Sequence, residues 1–414
     1  MKQGRETGPT RVLYLVTSSL SAVLLRGQLR YLSQRDFEVS LASSPGENLT
    51  AICNEERIQA IEMEMAREIS PLKDCFAFFR LCALLRRLRP SITNVSTPKA
   101  GLLGGLAAFV TRVPCRVYTL RGLRWETASG LKRKVLLLAE WIACHCAHRV
   151  ICVSHSVREK AVAAGSVPQD RTVVLANGSS NGVDAERFKP TPESRQRGLE
   201  LRREFAVPPD ALVIGYAGRL TRDKGIPELY EAHKILRLEF PSLRLLLLGD
   251  FEDGDPLPNA VKQALQTDPS VIRPGFVANI CDFYQSFDVL ALPSHREGFP
   301  NVVLEAHAAG TPVISTHATG AADAVIDGVT GILVPVADVG ALVAGLKALL
   351  FDPGLRAKMG AAGRERVIRD FSPERIWNAV AEEYLGLLQA KGLPLPGLMT
   401  PYSGAAKEAP SNVQ

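Results

Sequence analysis

Residues 288–315 read DVLALPSHREGFPNVVLEAHAAGTPVIS, and their pattern decides the fold. An apolar run ending at Pro293 reads as a strand, a polar loop carries Glu297, Pro300 opens a helix where proline is tolerated, and TPVIST is a second strand. The same alternation fills the second half of the chain: ALVIGYAG, LRLLLLGD, VIRPGFV, DVLALPS, TPVIST and GILVPV are strands, each followed by a helical segment. In the first half RVLYLV, FEVSLAS, RIQAIEM, SITNV, CRVYTL, RVICVS and TVVLA alternate with helix-like stretches at 20–34, 72–89, 100–110, 131–147 and 154–164. Near-continuous apolar strands between helices imply parallel sheets covered on both faces.

The organisation follows: a tail at 1–9, a Rossmann-like domain at 10–186, a linker at 187–205, a second such domain at 206–372, a helix at 373–391 and a tail at 392–414. Two such domains leave a cleft between the carboxyl ends of their strands, where ligands of this fold class bind. Neither half begins with G-x-G-x-x-G, so a nicotinamide dehydrogenase loses its main support. Gly101, Gly104 and Gly105 lie inside a helical segment, where close packing explains them.

The 414 residues, 46% hydrophobic and 22% charged, can bury two full cores, which excludes disorder and fibrous classes. The longest apolar runs are interrupted by Glu140 and by hydroxyls, so none spans a membrane, and no secretion signal is read; a cytoplasmic protein is expected. The eight cysteines lack C-x-x-C pairs and read as buried small hydrophobes. Cys144, His148 and Cys152 would face a metal together only on one unbroken helix, and RVICV reads as a strand that breaks it. Net charge is +6, with 25 Lys+Arg against 15 Asp+Glu in residues 1–185. With only 6% aromatics and no nucleic-acid signature, that basic half suits anionic lipid or phosphate-bearing ligands, not nucleic acid.

Two stretches carry chemistry. In GYAGRLTRDKGIPELYEA, residues 215–232, Gly218 allows close backbone approach, and Arg219 and Lys224 occupy the loop before a helix, which suits a diphosphate. In SHREGFPNVVLEAHAAGTPVIS the helix start leaves the N–H groups of Phe299, Asn301 and Val302 free to form an anion site. Glu297 and Glu305, eight helical positions apart, would stand about 12 Å from each other, too far for the paired carboxylates of a glycosidase. They suit two grips on one long ligand instead.

These stretches, with GDFEDGDP, GFV and DGVTGILVP, and with STPKAGLLGGLAA, YTLRGLRWETASGLKRK and NGSSNGVDAERF in the first half, resemble the GT-B-fold retaining glycosyltransferases of family four over about residues 10 to 390. The likeness is to the subgroup that builds bacterial capsule, O-antigen and exopolysaccharide. It implies an acceptor-binding first domain, a second domain binding a nucleoside diphosphate sugar (UDP preferred) as co-substrate, no cofactor, no metal, and a C-terminal helix crossing back to the first domain. By that resemblance Arg219 and Lys224 hold the donor diphosphate, Glu305 the ribose and Glu297 the sugar hydroxyls. Gly298, Phe299, Pro300 and Asn301 approach through backbone groups, and Val277 borders the base. Arg121 replaces a histidine common in relatives, and residues 17–20, TSSL, stand where relatives carry a glycine-rich loop.

The resemblance further implies a polyprenyl-diphosphate-linked or other saccharide acceptor, with Arg121, Arg124 and Glu126 on its side, and a peripheral position on the inner face of the plasma membrane. Segments 72–89 and 131–147, bearing Arg86, Arg87, Arg89, Lys132, Arg133 and Lys134, either lie on anionic lipid or pack their apolar faces on the sheet. Two other functions fit the same nucleotide site: a sugar-nucleotide epimerase, and a non-catalytic nucleotide-sugar-binding scaffold.

Overall fold

The computed structural model describes residues 9–66, 70–252 and 254–397. Every run read as a strand forms one. The first sheet holds β1 (Thr10–Leu15), β2 (Phe37–Ser43), β3 (Gln59–Glu62), β4 (Ile92–Ser96), β5 (Cys115–Leu120), β6 (Arg149–Cys152) and β7 (Thr172–Val173), in the order β3-β2-β1-β4-β5-β6-β7. The second holds β8 (Val213–Ala217), β9 (Arg244–Leu248), β10 (Val271–Gly275), β11 (Val289–Leu292), β12 (Val313–Thr316) and β13 (Gly331–Val334), in the order β10-β9-β8-β11-β12-β13. All pairings are parallel. Strand order reverses between β1 and β4 and again between β8 and β11, so each sheet opens a crevice at those carboxyl ends.

Val12, Leu13, Tyr14 and Leu15 of β1 are all buried, because helices cover both faces of the sheet. The helix Pro98–Val110 lies so close that a Cβ at Gly101 would sit 2.6 Å from the Tyr118 ring and one at Gly104 2.3 Å from Leu15, which confirms close packing as the reason for both glycines. The opposite face is closed by the helix Pro373–Ala390, whose Val380, Ala381, Tyr384 and Leu388 join the core of the first domain. The Tyr384 hydroxyl donates to the Tyr14 hydroxyl (2.8 Å) and accepts from the Asn94 amide (2.7 Å), and Glu383 pairs with Arg149 (2.6 Å). The crossing helix is thus fixed by apolar and polar contacts together.

Three local readings change. Within 187–205, read as a linker, the helix Pro192–Glu204 forms. Thr191 and Ser194 make a reciprocal capping box, so the proline and charges that looked like turn formers are helix-start residues. Stretch 20–34 splits into a 3-10 turn, Ser19–Leu25, and the helix Gln28–Ser33. Residues 392–397 run back along the first domain, with Leu393 against its core and the Thr10 hydroxyl donating to the Pro394 carbonyl (3.4 Å); residues 1–8 and 398–414 of the expected tails lie outside the described residues.

The helices Pro71–Leu88 and Gly130–Cys146 pack on either side of Pro98–Val110, each with one face on the domain and another in solvent. Ala77, Leu81, Leu84 and Leu85, and Ala143 and Cys144, are buried against the domain, while Leu72, Phe76, Phe79, Leu131, Leu138 and Trp141 stand exposed. No helix among the described residues is long and apolar enough to cross a membrane.

Candidate active site

Strand β8 ends at Ala217, and Gly218 turns the chain at φ +148°, where a Cβ would lie 2.9 Å from the Tyr216 hydroxyl. Arg219 follows, its carbonyl accepting from that hydroxyl (2.7 Å), and the 3-10 turn Arg222–Lys224 delivers Lys224. Strand β11 ends at Leu292; its loop carries Ser294 and Glu297 to the helix Asn301–Ala308, with Pro300 at the N-cap position and no side-chain cap. From the first domain, Arg121 follows the end of β5. Its carbonyl abuts Gly298 so closely that a Cβ there would sit 1.9 Å away. A side chain at position 298 would push the domains apart.

Arg121, Arg219, Lys224, Glu297 and the run 298–302 line one cavity of about 310 Å³. A second, of about 380 Å³, lined by Phe251, Phe276, Val277, Ile280 and Val302, shares Gly218 and Arg219 with it. The groove is polar and cationic at one end and apolar at the other, the profile of a site for a flat ring joined through phosphates to a polar group.

Charge in the groove is balanced internally. The Lys224 ammonium pairs with Glu297 (2.6 Å), whose same oxygen accepts from the Ser294 hydroxyl (2.8 Å). The Arg219 guanidinium pairs with Glu252. Arg121 makes no ion pair among the described residues: its Nε has no hydrogen-bond partner there, and desolvation lowers its pKa to about 10. It is a cation held partly out of water at the floor of the cleft.

The structure therefore brings together Gly218, Arg219, Lys224, Glu297, Gly298, Phe299, Pro300, Asn301 and Arg121, with Val277 in the adjoining cavity. Glu305 lies one turn beyond Asn301 and Val302, outside both linings, where it accepts from the Tyr284 hydroxyl (2.7 Å) and burial raises its pKa. Since the helix starts at Asn301, Glu297 belongs to the loop, and the helical spacing assumed between the two carboxylates does not apply.

Arg124 turns away from the cavity that Arg219 and Lys224 line into a separate one, and Glu126 accepts from Lys160 and from Thr319 of the second domain (2.7 Å). In TSSL the Thr17 hydroxyl is engaged with Thr97 (2.7 Å) and the Ala100 N–H (3.2 Å), and Ser18 caps the following turn, so those hydroxyls serve the fold. Sequence reading missed Ser294, whose partner Glu297 is three residues on in the same loop, and Glu252 and Tyr284, which reach their partners only through folding. It also missed the junction at Asp323, whose carboxylate accepts from the N–H groups of His155 (3.1 Å) and Ser156 (3.2 Å) and so caps a helix of the other domain. Among the described residues no cluster of three or more His, Cys, Asp or Glu could hold a metal; Cys152 lies on β6 and Cys144 on the helix before it.

The profile of the glycosyl transferases group 1 matches residues 199–366, and that of the glycosyl transferase 4-like domain matches residues 21–178. The capsular polysaccharide biosynthesis glycosyltransferase CapM of Staphylococcus aureus is 37% identical over 374 residues, 90% of this chain and 96% of that protein. The UDP-Gal:alpha-D-GlcNAc-diphosphoundecaprenol alpha-1,3-galactosyltransferase of Escherichia coli is 25% identical over 376 residues, 88% and 93% of the two chains. Among solved structures, HepE of Anabaena in complex with UDP and glucose superposes with a TM-score of 0.75 at 22% identity, covering 90% of this chain and 98% of its own, a likeness of fold.

Proposed function

The chain belongs to the group 1 glycosyl transferases, and on that premise we propose that it moves a hexosyl or N-acetylhexosaminyl group from a UDP-sugar, with retention of configuration, to a polyprenyl-diphosphate-linked saccharide in surface-polysaccharide assembly. One observation carries the reading: Arg219, Lys224 and the start of the helix Asn301–Ala308 line a single cavity at the strand ends of the second sheet. As the bond from the anomeric carbon to the diphosphate oxygen breaks, negative charge grows on that oxygen. Two cations and the first-turn N–H groups, already in place, stabilise it more than they stabilise the intact donor.

The acceptor hydroxyl attacks the anomeric carbon on the face the diphosphate leaves, and its proton passes to the departing phosphate oxygen. Glu297, holding Lys224 in position, accepts from the hydroxyls of the transferred sugar. Glu305, kept in place by Tyr284, serves the ribose from one turn deeper, and the apolar cavity at Phe276 and Val277 takes the base. With Arg219 and Lys224 neutralising the diphosphate, the reaction proceeds without a divalent metal. The acceptor's chemistry is supported by the diphosphoundecaprenol-linked acceptor of the Escherichia coli relative and by the exposed apolar helices of a basic domain. Those helices seat the enzyme on the anionic inner face of the plasma membrane.

The test is to incubate the protein with labelled nucleotide sugars, with and without a membrane extract. Label entering lipid only when extract is present is the expected result. Interconversion of the sugar nucleotide without acceptor would make the protein an epimerase, and binding without turnover in either arm would make it a scaffold.

A further inference from the structure

The loops that form the donor cavity have a second side. Arg121, Lys224 and Glu297 face the donor. On the same three loops Arg124, Arg222, His295 and Arg296 line a different cavity of about 240 Å³, with Lys132 and Leu136 of the helix Gly130–Cys146 as its outer wall. Positions facing the two cavities lie within three residues of each other, so at about 3.5 Å per residue the cavities are at most ~10 Å apart along each loop.

Three features suit this cavity to a phosphate. Its acids are already engaged: Asp223 pairs with Arg296 (2.9 Å) and Asp255 accepts from the Asp223 N–H (2.8 Å). Glu228, behind it, pairs with His295 (3.0 Å). Lys132 and Arg222 make no ion pair among the described residues, which leaves net positive charge directed at the space. On its outer side, turned to solvent, the same helix presents Leu131, Val135, Leu138 and Trp141, 44–77% exposed and spaced as one face. A basic cavity walled by a helix whose outer side is apolar is complementary to a molecule with an anionic head and a hydrocarbon tail that passes over that helix.

We propose that this cavity is the subsite for the diphosphate of the lipid-linked acceptor, with the apolar stripe taking the prenyl chain and the saccharide extending toward the donor cleft. The proposal rests on the glycosyl-transfer reading for the identity of the ligand, but its test does not require turnover. The same chemistry, phosphate on an apolar tail, also belongs to bulk anionic phospholipid, so the experiment separates the two.

With the donor site saturated by UDP, binding of farnesyl diphosphate, inorganic diphosphate and anionic phospholipid vesicles is measured for the wild type, for Lys132→Ala/Arg222→Ala and for Lys358→Ala, which removes an exposed cation elsewhere. The expected result is that the double variant weakens farnesyl diphosphate binding at least ~tenfold. Vesicle binding falls by less, inorganic diphosphate binds more weakly than farnesyl diphosphate, and Lys358→Ala matches the wild type. Undiminished farnesyl diphosphate binding in the double variant, or a loss confined to vesicles, overturns the proposal. A protein that binds farnesyl diphosphate through these residues yet transfers no sugar keeps the subsite and sinks the glycosyl-transfer reading; one that transfers sugar while the double variant binds normally does the reverse.

Discussion

The two domains share a strand order and differ in where their chemistry sits. In the second domain the working groups stand on short loops at the ends of β8 and β11, within a groove and matched by carboxylates: Lys224 with Glu297, Arg219 with Glu252. In the first domain much of the positive charge and exposed apolar surface lies on the outer faces of helices, where Phe76, Phe79 and Leu138 meet solvent. A preorganised groove suits a small, highly charged ligand whose charge changes during reaction. An open basic and apolar face suits a ligand too large to enclose. One architecture thus presents two kinds of surface, one at strand ends and one on helix faces.

The largest effect that could break this contrast is on turnover. Arg219→Ala or Lys224→Ala is expected to lower kcat by ~10² or more, as removal of one oxyanion donor does; a transfer assay with saturating donor checks it, and unchanged kcat removes the second domain from the chemistry. Next comes the first domain. Phe76→Ser/Phe79→Ser/Leu138→Ser is expected to weaken partition onto anionic vesicles by at least ~tenfold, since each methylene buried in the acyl boundary contributes up to ~0.8 kcal/mol, while the melting temperature holds. Co-sedimentation measures the first quantity and a thermal scan the second.

The junction gives a smaller effect. Asp323→Ala removes the carboxylate that caps a helix of the partner domain and is expected to cost about 1 to 2 kcal/mol of stability by chemical denaturation, typical of a lost cap. Loss of catalysis without loss of stability would mean that the contact positions the domains and adds nothing to the fold.

Acid sharpens the comparison last. Burial, helped at His307 by Arg366, lowers the pKa of His307 to about 3, and burial lowers that of His233 to about 4; both lie in the second domain. The native state keeps them neutral while the unfolded chain protonates near pH ~6.5, so stability is level above that value and falls as pH drops below it. Each should cost about 1 kcal/mol by pH ~5.5. In the first domain, burial followed by Arg116 lowers His148 to about 4. All three tryptophans, Trp125, Trp141 and Trp377, belong to the first domain or its crossing helix. Far-UV circular dichroism should therefore lose signal at a higher pH than tryptophan fluorescence, and coincident curves would show that the domains unfold as one.

The strands were legible because each is buried on both faces and so appears as a continuous apolar run. Arg219, Lys224 and Glu297 were legible because they directly follow such runs, and strand ends of this topology point into the cleft. The helix Pro192–Glu204 was not, since proline and charge serve turns and helix starts alike until the reciprocal Thr191–Ser194 cap is seen. Nor could any pattern reveal that Arg124 and Arg121, three residues apart, face different cavities, or that Glu126 reaches Thr319.

The chain alone settled two parallel-sheet domains and the stretches that line the cavity at the strand ends of the second sheet, because hydrophobic periodicity and loop position are local properties written within one or two dozen residues. Tertiary structure decided which carboxylate balances each cation, which side of a loop each arginine serves and how the domains meet at Gly298 and Asp323. Those outcomes depend on the docking of segments far apart in sequence, and a side chain's partner is set by where that docking leaves it.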